Sequence, residues 1–251
     1  IRLEVKKVIC VENISMEFDL NRGKVRSLKE RLFAKVADQV KESKKFVALN
    51  HVSFSLQQGD TLGIIGNNGA GKSTLLKILS GIMKPSSGTV RIDGTISPMI
   101  ELGTGFDFEL SAEENVYLSG AVLGYSKALL DAKIDEIFDF SELWNFRQVP
   151  VKYFSSGMVA RLAFAVSTLV KPDLLIVDEI LSVGDVPFQQ KSFKKMQELM
   201  SGGSTVIYVS HNIDSVKELC NRVIWLEHGA IKMDGESKIV CEQFMESVEH
   251  G

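Results

Sequence analysis

The sequence predicts an α/β fold in which helices cover a largely parallel sheet. Three observations point there. The run Leu174–Val177 is wholly apolar and short, as a strand buried on both faces requires. Stretches with apolar residues at helical spacing, including 112–147, 159–169 and 189–200, lie between the strand-like runs. Strand and helix alternate over most of the chain, the pattern of crossovers joining parallel strands.

The elements follow in order. Residues 3–20 alternate as a strand centred on Val8, Cys10 and Val11. Residues 22–45 hold nine Lys/Arg against three acids, a local +6, with Val25, Leu28, Leu32, Val36 and Val40 spaced along one helical face. A strand resumes at Phe46, where Phe54 and Leu56 alternate with polar residues. A turn at 57–60 leads into a short buried strand, Thr61–Ile65. A glycine-rich loop, an apolar helix at 75–79 and a turn at 85–88 come next. Beyond the mostly helical 112–147, the order is helix 159–169, strand Leu174–Val177, helix 189–200, strand Thr205–Val209, helix 215–220 and strand 223–226.

Composition narrows the function. The 251 residues, 45% hydrophobic and 24% charged, can bury a sizeable core and are not composed like a disordered chain. A net charge of −3 supplies no global basic field, so nucleic acid is not an expected partner. Cys10, Cys220 and Cys241 are scattered without a CxxC pair. They suggest neither a disulfide framework nor a zinc site, and they fit a reducing compartment such as the cytosol. No apolar run is long enough to span a bilayer, and no secretory leader is visible.

Chemistry concentrates at Gly66, Asn67, Asn68, Gly69, Ala70, Gly71, Lys72, Ser73 and Thr74. This is G-x-x-x-x-G-K-[ST] between a predicted strand and a predicted helix, the setting a phosphate loop needs. Glycines let the backbone wrap an anion, and successive N–H groups at the helix start then face it. Lys72 is expected at the β- and γ-phosphates of a bound nucleotide, and Ser73 at Mg²⁺. Strand Leu174–Val177 ends in Asp178 and Glu179. Alone, that would read as a strand ending in solvated acids. With the loop upstream, Asp178 is expected to hold the Mg²⁺ shell and Glu179 to act as general base on the attacking water.

Further motifs carry a family resemblance. Phe154-Ser155-Ser156-Gly157-Met158, followed by Arg161 and an apolar helix, resembles the signature motif of ABC-transporter ATPases. Ser182-Val183-Gly184-Asp185 resembles that family's D-loop, and Ser210-His211 its switch histidine. The resemblance implies an ABC cassette: a mixed, largely parallel central sheet, an antiparallel β subdomain and a helical subdomain over about 105–170, in one ATPase domain spanning 1–251. It implies that Ser155, Ser156 and Gly157, placed before a helix, reach the nucleotide of a second copy, so that two chains sandwich two ATP. It gives Asp185 the D-loop position, and it places His211 at the γ-phosphate and Glu101 at the metal in place of the family's usual Gln. Phe18 takes the position of the aromatic that stacks on adenine. Met158 replaces the signature Gln.

Narrower similarities concern the cargo. The stretches 150–158 and 161–166, together with 101–106, 114–118 and 181–185, resemble the branch that exports O-antigen, teichoic acid and capsule. The resemblance implies an ATPase subunit at the cytoplasmic face of the inner membrane, paired with a permease, with two copies expected, that handles a lipid-linked polysaccharide. Phe106, Phe108, Tyr117 and Tyr125 lie where such ATPases dock a permease, although aromatics there also suit core packing. The basic insertion suits a membrane surface or an acidic permease cleft equally with a solvated helix. Two alternatives stay open: the ATPase of another ABC transporter, and a soluble ABC ATPase acting on nucleic acid or the ribosome.

Overall fold

The computed structural model describes residues 7–19, 45–99, 103, 105–178, 185–210 and 212–249. The basic stretch 22–44 lies outside the described residues, as do Glu101, Glu179, 182–184 and His211.

Two sheets and a helical layer make up the structure. Strands β1 (Lys7–Asp19), β2 (Lys45–Gln57) and β4 (Ser87–Ile92) form an antiparallel sheet in the order β2-β1-β4. Lys45, counted with the basic insertion in the sequence reading, opens β2, where it pairs with Asp19 in the ladder and Glu17 through its ammonium. The second sheet has the order β5-β6-β7-β3-β8-β9, with β3 (Thr61–Ile65), β5 (Ile96–Met99), β6 (Leu174–Val177), β7 (Thr205–Val209), β8 (Arg222–Glu227) and β9 (Ala230–Glu236). Every pair in it is parallel except β8 with β9. Strands β4, β5 and β9, on the sheet edges, were not read from the sequence. Their alternation is interrupted by Gly, Pro and charged residues, so the periodic signal is weak.

The apolar strands serve two cores at once. Leu174, Ile176, Ile207, Val209, Ile224 and Leu226 face helix α1 (Lys72–Leu79) and the antiparallel sheet. The intervening residues Leu175, Val177, Val206, Tyr208, Val223 and Trp225 pack on the opposite face. There they meet α5 (Val186–Ser201), α6 (Ile213–Leu219) and α7 (Ser237–Glu249). The period-two backbone thus turns one apolar run into two half-cores.

A third apolar cluster belongs to α2 (Ala112–Val122), α3 (Lys127–Ser141) and α4 (Ser156–Ser167). A capping box starts α2: Ser111 Oγ accepts from the Glu114 N–H, and the Glu114 carboxylate accepts from the Ser111 N–H at 2.8 Å. Short 3₁₀ turns at Trp144–Phe146 and Val151–Tyr153 return the chain to α4. Arg147 fastens that return to α2, its Nε 2.6 Å and Nη2 3.0 Å from the two Glu113 oxygens. The sequence placed the start of α4 at Val159. It begins three residues earlier, so Ser156 and Gly157 open the helix rather than precede it.

The Arg147 hydrogen bonds hold the Glu113 carboxyl below its ordinary range against the opposing cost of burial. A depressed carboxylate adds stability above its unfolded pKa and loses it as pH falls through the folded value. Glu113→Gln is therefore expected to lower the urea midpoint at pH 7. At a pH below the folded value of the Glu113 carboxyl the variant and parent should converge. An equal offset at both pH values would remove the ion pair as the cause.

Candidate nucleotide site

A parallel sheet puts the carboxyl ends of its strands on one edge, and ligands bind there. β3, β6 and β7 are neighbours in the order β6-β7-β3. Their ends deliver Gly66, Asp178 and Ser210 to the same edge. A cleft of about 210 Å³ opens there, lined by Asn68 through Thr74, Asp178 and Val209, with Phe46 and Ala48 of β2.

The loop's shape is set by close approach. Gly71 has φ +103°, and a Cβ there would lie 2.5 Å from the Ala48 carbonyl oxygen. At Gly66, φ +147°, a Cβ would meet the Leu226 carbonyl at 2.2 Å. Only glycine lets the loop sit against both strands. The β8–β9 turn supports its far side: the Gly229 N–H donates to the Ala70 carbonyl at 3.1 Å, and the Asn50 N–H donates to Gly229 O at 2.8 Å.

The residues present fit an anionic ligand. Gly71 caps α1 without a side-chain hydrogen bond, and no acid lies in the first turn. The first N–H groups of the helix therefore point into the cleft beside a favourable dipole. Lys72 is 7% exposed, and its ammonium donates to Gly66 O at 2.6 Å and Asn67 O at 3.1 Å. Two carbonyls thus arch the cation across the loop before any phosphate is considered. Ser73 and Asp178 line the same cleft and offer hard oxygen atoms. No cluster of three or more His, Cys, Asp or Glu suited to a metal exists among the described residues. The Ser73 hydroxyl and Asp178 carboxylate are of the kind an ion such as Mg²⁺ takes, one or two protein ligands with the rest from phosphate and water.

The signature residues are elsewhere. Ser155, Ser156 and Gly157 line a separate cleft of about 700 Å³ with Glu142, Phe146, Met158, Arg161 and Asp185. The two clefts share no lining residue. Ser155 caps α4 by accepting from the Met158 N–H at 3.2 Å, which leaves the Ser156 and Gly157 N–H groups at the helix start. Asp185 likewise caps α5, accepting from the Phe188 N–H at 3.3 Å.

The aromatic residues divide. Phe18 is half-buried in β1 and is not among the residues that line the phosphate cleft. Phe46, its direct ladder partner in β2, lines the cleft and is 49% exposed. Sequence reading missed Phe46, although an aromatic at the strand start just ahead of the loop was the available signal. Phe106 is buried in the helical cluster, with Tyr117 and Tyr125 packed on it. Phe108 is 51% exposed.

Fold and cleft together define a nucleotide-binding protein of the phosphate-loop class. The chain belongs to the ABC transporter family, whose model matches residues 49–182. It is 37% identical over 97% of its length to the O-antigen export system ATP-binding protein RfbB of Klebsiella pneumoniae, and covers 100% of that relative. It is 38% identical over 96% of its length to the teichoic acids export ATP-binding protein TagH of Listeria innocua, covering 70% of that chain. The fold is shared with the ATP-binding cassette MJ0796, solved as a dimer in a post-hydrolysis state with ADP and Pi (TM-score 0.69, 21% identity, covering 91% of this chain and 98% of that one).

An exposed ring on a phosphate cleft can cover a base. Phe46→Ala is expected to raise the Kd for ATP about three- to tenfold, ~0.5–1.5 kcal/mol of ring contact, while Phe46→Trp keeps it near the parent value. Equilibrium titration with a fluorescent ATP analogue reads both. A larger loss in Phe18→Ala than in Phe46→Ala would return the stacking role to Phe18.

Proposed function

We propose that the chain is the ATP-hydrolysing subunit that powers export of a lipid-linked cell-surface polysaccharide, O-antigen or teichoic acid in type, through a membrane permease. The observation that carries this reading is similarity over nearly the whole chain to export ATP-binding proteins, in a molecule whose phosphate loop and Asp178 share one cleft.

ATP supplies the phosphoanhydride, and Mg²⁺ neutralises its oxygens. The chain positions them. Backbone N–H groups from Asn67 to Thr74 cradle phosphate, and Lys72 adds a fixed positive charge. Ser73 and Asp178 would hold the metal, with Glu101 as a further ligand. Glu179 takes the proton of the attacking water, and His211 orients that water at the γ-phosphate. Ser155, Ser156 and Gly157 donate to the nucleotide of a second copy. The separation of the two clefts within one chain supports this, since signature residues that line none of the phosphate cleft need another molecule's phosphates to act on. Asp185 lies at the same interface.

Among the described residues no helix is long and apolar enough to cross a membrane. In this reading the chain acts from the cytoplasmic face of the inner membrane through a permease, in two copies of each. A docking surface is available on the helical layer. Asn115, fully buried, donates to the Asp107, Leu110 and Ser111 carbonyls and accepts from the Asp107 N–H at 2.8 Å. It thereby presents Phe108, which lies beside the 71% exposed Tyr153 through the Lys152 N–H to Phe108 O bond at 2.9 Å.

Glu179→Gln should trap an ATP-bound dimer by gel filtration and lower kcat by about 10²–10⁴-fold. Lys72→Ala should abolish both dimer and turnover. In liposomes holding the permease, a lipid-linked glycan should stimulate hydrolysis. A parental rate in Glu179→Gln would unseat it as the base, and stimulation by a small solute alone would favour an importer.

A further inference from the structure

The signature cleft is larger and more apolar than phosphate binding requires. Its volume of about 700 Å³, against about 210 Å³ at the phosphate loop, is one that takes a whole small molecule. Ser156 and Gly157 supply backbone N–H groups at the start of α4. Of the remaining lining residues, Leu143, Phe146, Met158 and Ala160 are apolar. The charged ones engage each other: Arg161 Nη2 lies 2.6 Å from Asp185 Oδ1, and its Nη1 lies 3.2 Å from Glu142 Oε2. Arg161 also lies over the Phe188 ring at 4.9 Å, and Phe188 clusters with Phe140 and Phe164. Its guanidinium is thereby committed to protein partners, and the apolar wall is what the cleft offers beside its N–H groups.

Phe146 is the aromatic on that wall. It closes the 3₁₀ turn Trp144–Phe146, where its N–H donates to Leu143 O at 2.9 Å and its carbonyl accepts from the Val149 N–H at 2.9 Å. Its ring meets Phe154 edge-on, with centroids 6.1 Å apart and planes at 81°. Phe154 immediately precedes Ser155, so the ring is fixed relative to the signature residues. It is nevertheless 43% exposed. Neither a phosphate nor Mg²⁺ gains from such a ring. A nucleoside does, because its base presents a flat π-face that stacks on aromatic side chains. The chain's own phosphate cleft shares no lining residue with this one, so the nucleotide that fits here is one held by another copy.

We propose that Phe146 binds nucleotide across the dimer: its ring packs against the nucleoside of the ATP seated in the second copy's phosphate cleft, while Ser156 and Gly157 take the phosphates. This rests on the two-chain ATP sandwich proposed above and adds the nucleoside to what the second copy recognises. Capture of ATP by one chain uses Phe46, and assembly of two chains uses Phe146. The two steps therefore respond to different aromatic residues.

The test separates capture from assembly in the full chain. With a fluorescent ATP analogue, at protein concentrations where the chain is monomeric, Phe146→Ala should bind within about twofold of the parent, whereas Phe46→Ala binds more weakly. With a non-hydrolysable ATP analogue, sedimentation should show the dimer of Phe146→Ala weakened about ten- to a hundredfold, from about three- to tenfold at each of two sites. Phe146→Trp should assemble like the parent, and both variants should melt within a few degrees of it. Mg²⁺ tripolyphosphate lacks the nucleoside, so it should assemble the parent no better than Phe146→Ala. Parental assembly by Phe146→Ala, an equal loss of capture by the monomer, a deficit that persists with tripolyphosphate, or losses that track the melting temperature would overturn the proposal. If the parent itself stays monomeric with the ATP analogue, the sandwich falls first and this inference with it.

Discussion

The structure depends on a close fit between one loop and two strands. The phosphate loop can lie against the Ala48 and Leu226 carbonyls because Gly71 and Gly66 have no Cβ. That contact fixes the direction in which α1 leaves and hence where its first N–H groups point. The antiparallel sheet is drawn in by the same contact, because β2 contributes both the Ala48 carbonyl and the Phe46 ring at the cleft. A sheet that would otherwise be a separate layer therefore becomes a wall of the site.

The parallel order β6-β7-β3 performs the second half of assembly. Gly66, Asp178 and Ser210 are far apart in sequence, yet each follows a strand that ends on the same edge. The two-sided apolar alternation makes this order stable. Shifting any of these strands by one residue would exchange the sets facing α1 and α5.

The helical layer obeys different constraints. Its core is its own, and the Phe140–Phe164–Phe188 cluster and the Arg161 bridge join it to α5. An element with a separate core and a compact joint can tilt as a body more readily than it can deform. The proposed two-chain ATP sandwich, with phosphate held in one cleft and donors offered from the other, suits this division.

Much of this was legible in the linear chain. The loop at 66–74, the apolar β6 ending in Asp178 and the serine-rich start of α4 declare themselves because phosphate and metal chemistry demand those residue types at short, local spacing. The class and family followed from them, and the succession of central strands and helices along the chain followed from apolar periodicity. Tertiary structure alone decided the rest. Nothing local places Phe46 rather than Phe18 on the cleft, since the two are ladder partners and only the packing of β2 against the loop distinguishes them. Nothing local pairs Arg161 with Glu142 and Asp185, which lie 19 and 24 positions away along the chain. Short-range motifs record what a ligand requires, whereas contacts between distant segments exist only once the sheet order and helix packing have brought them together.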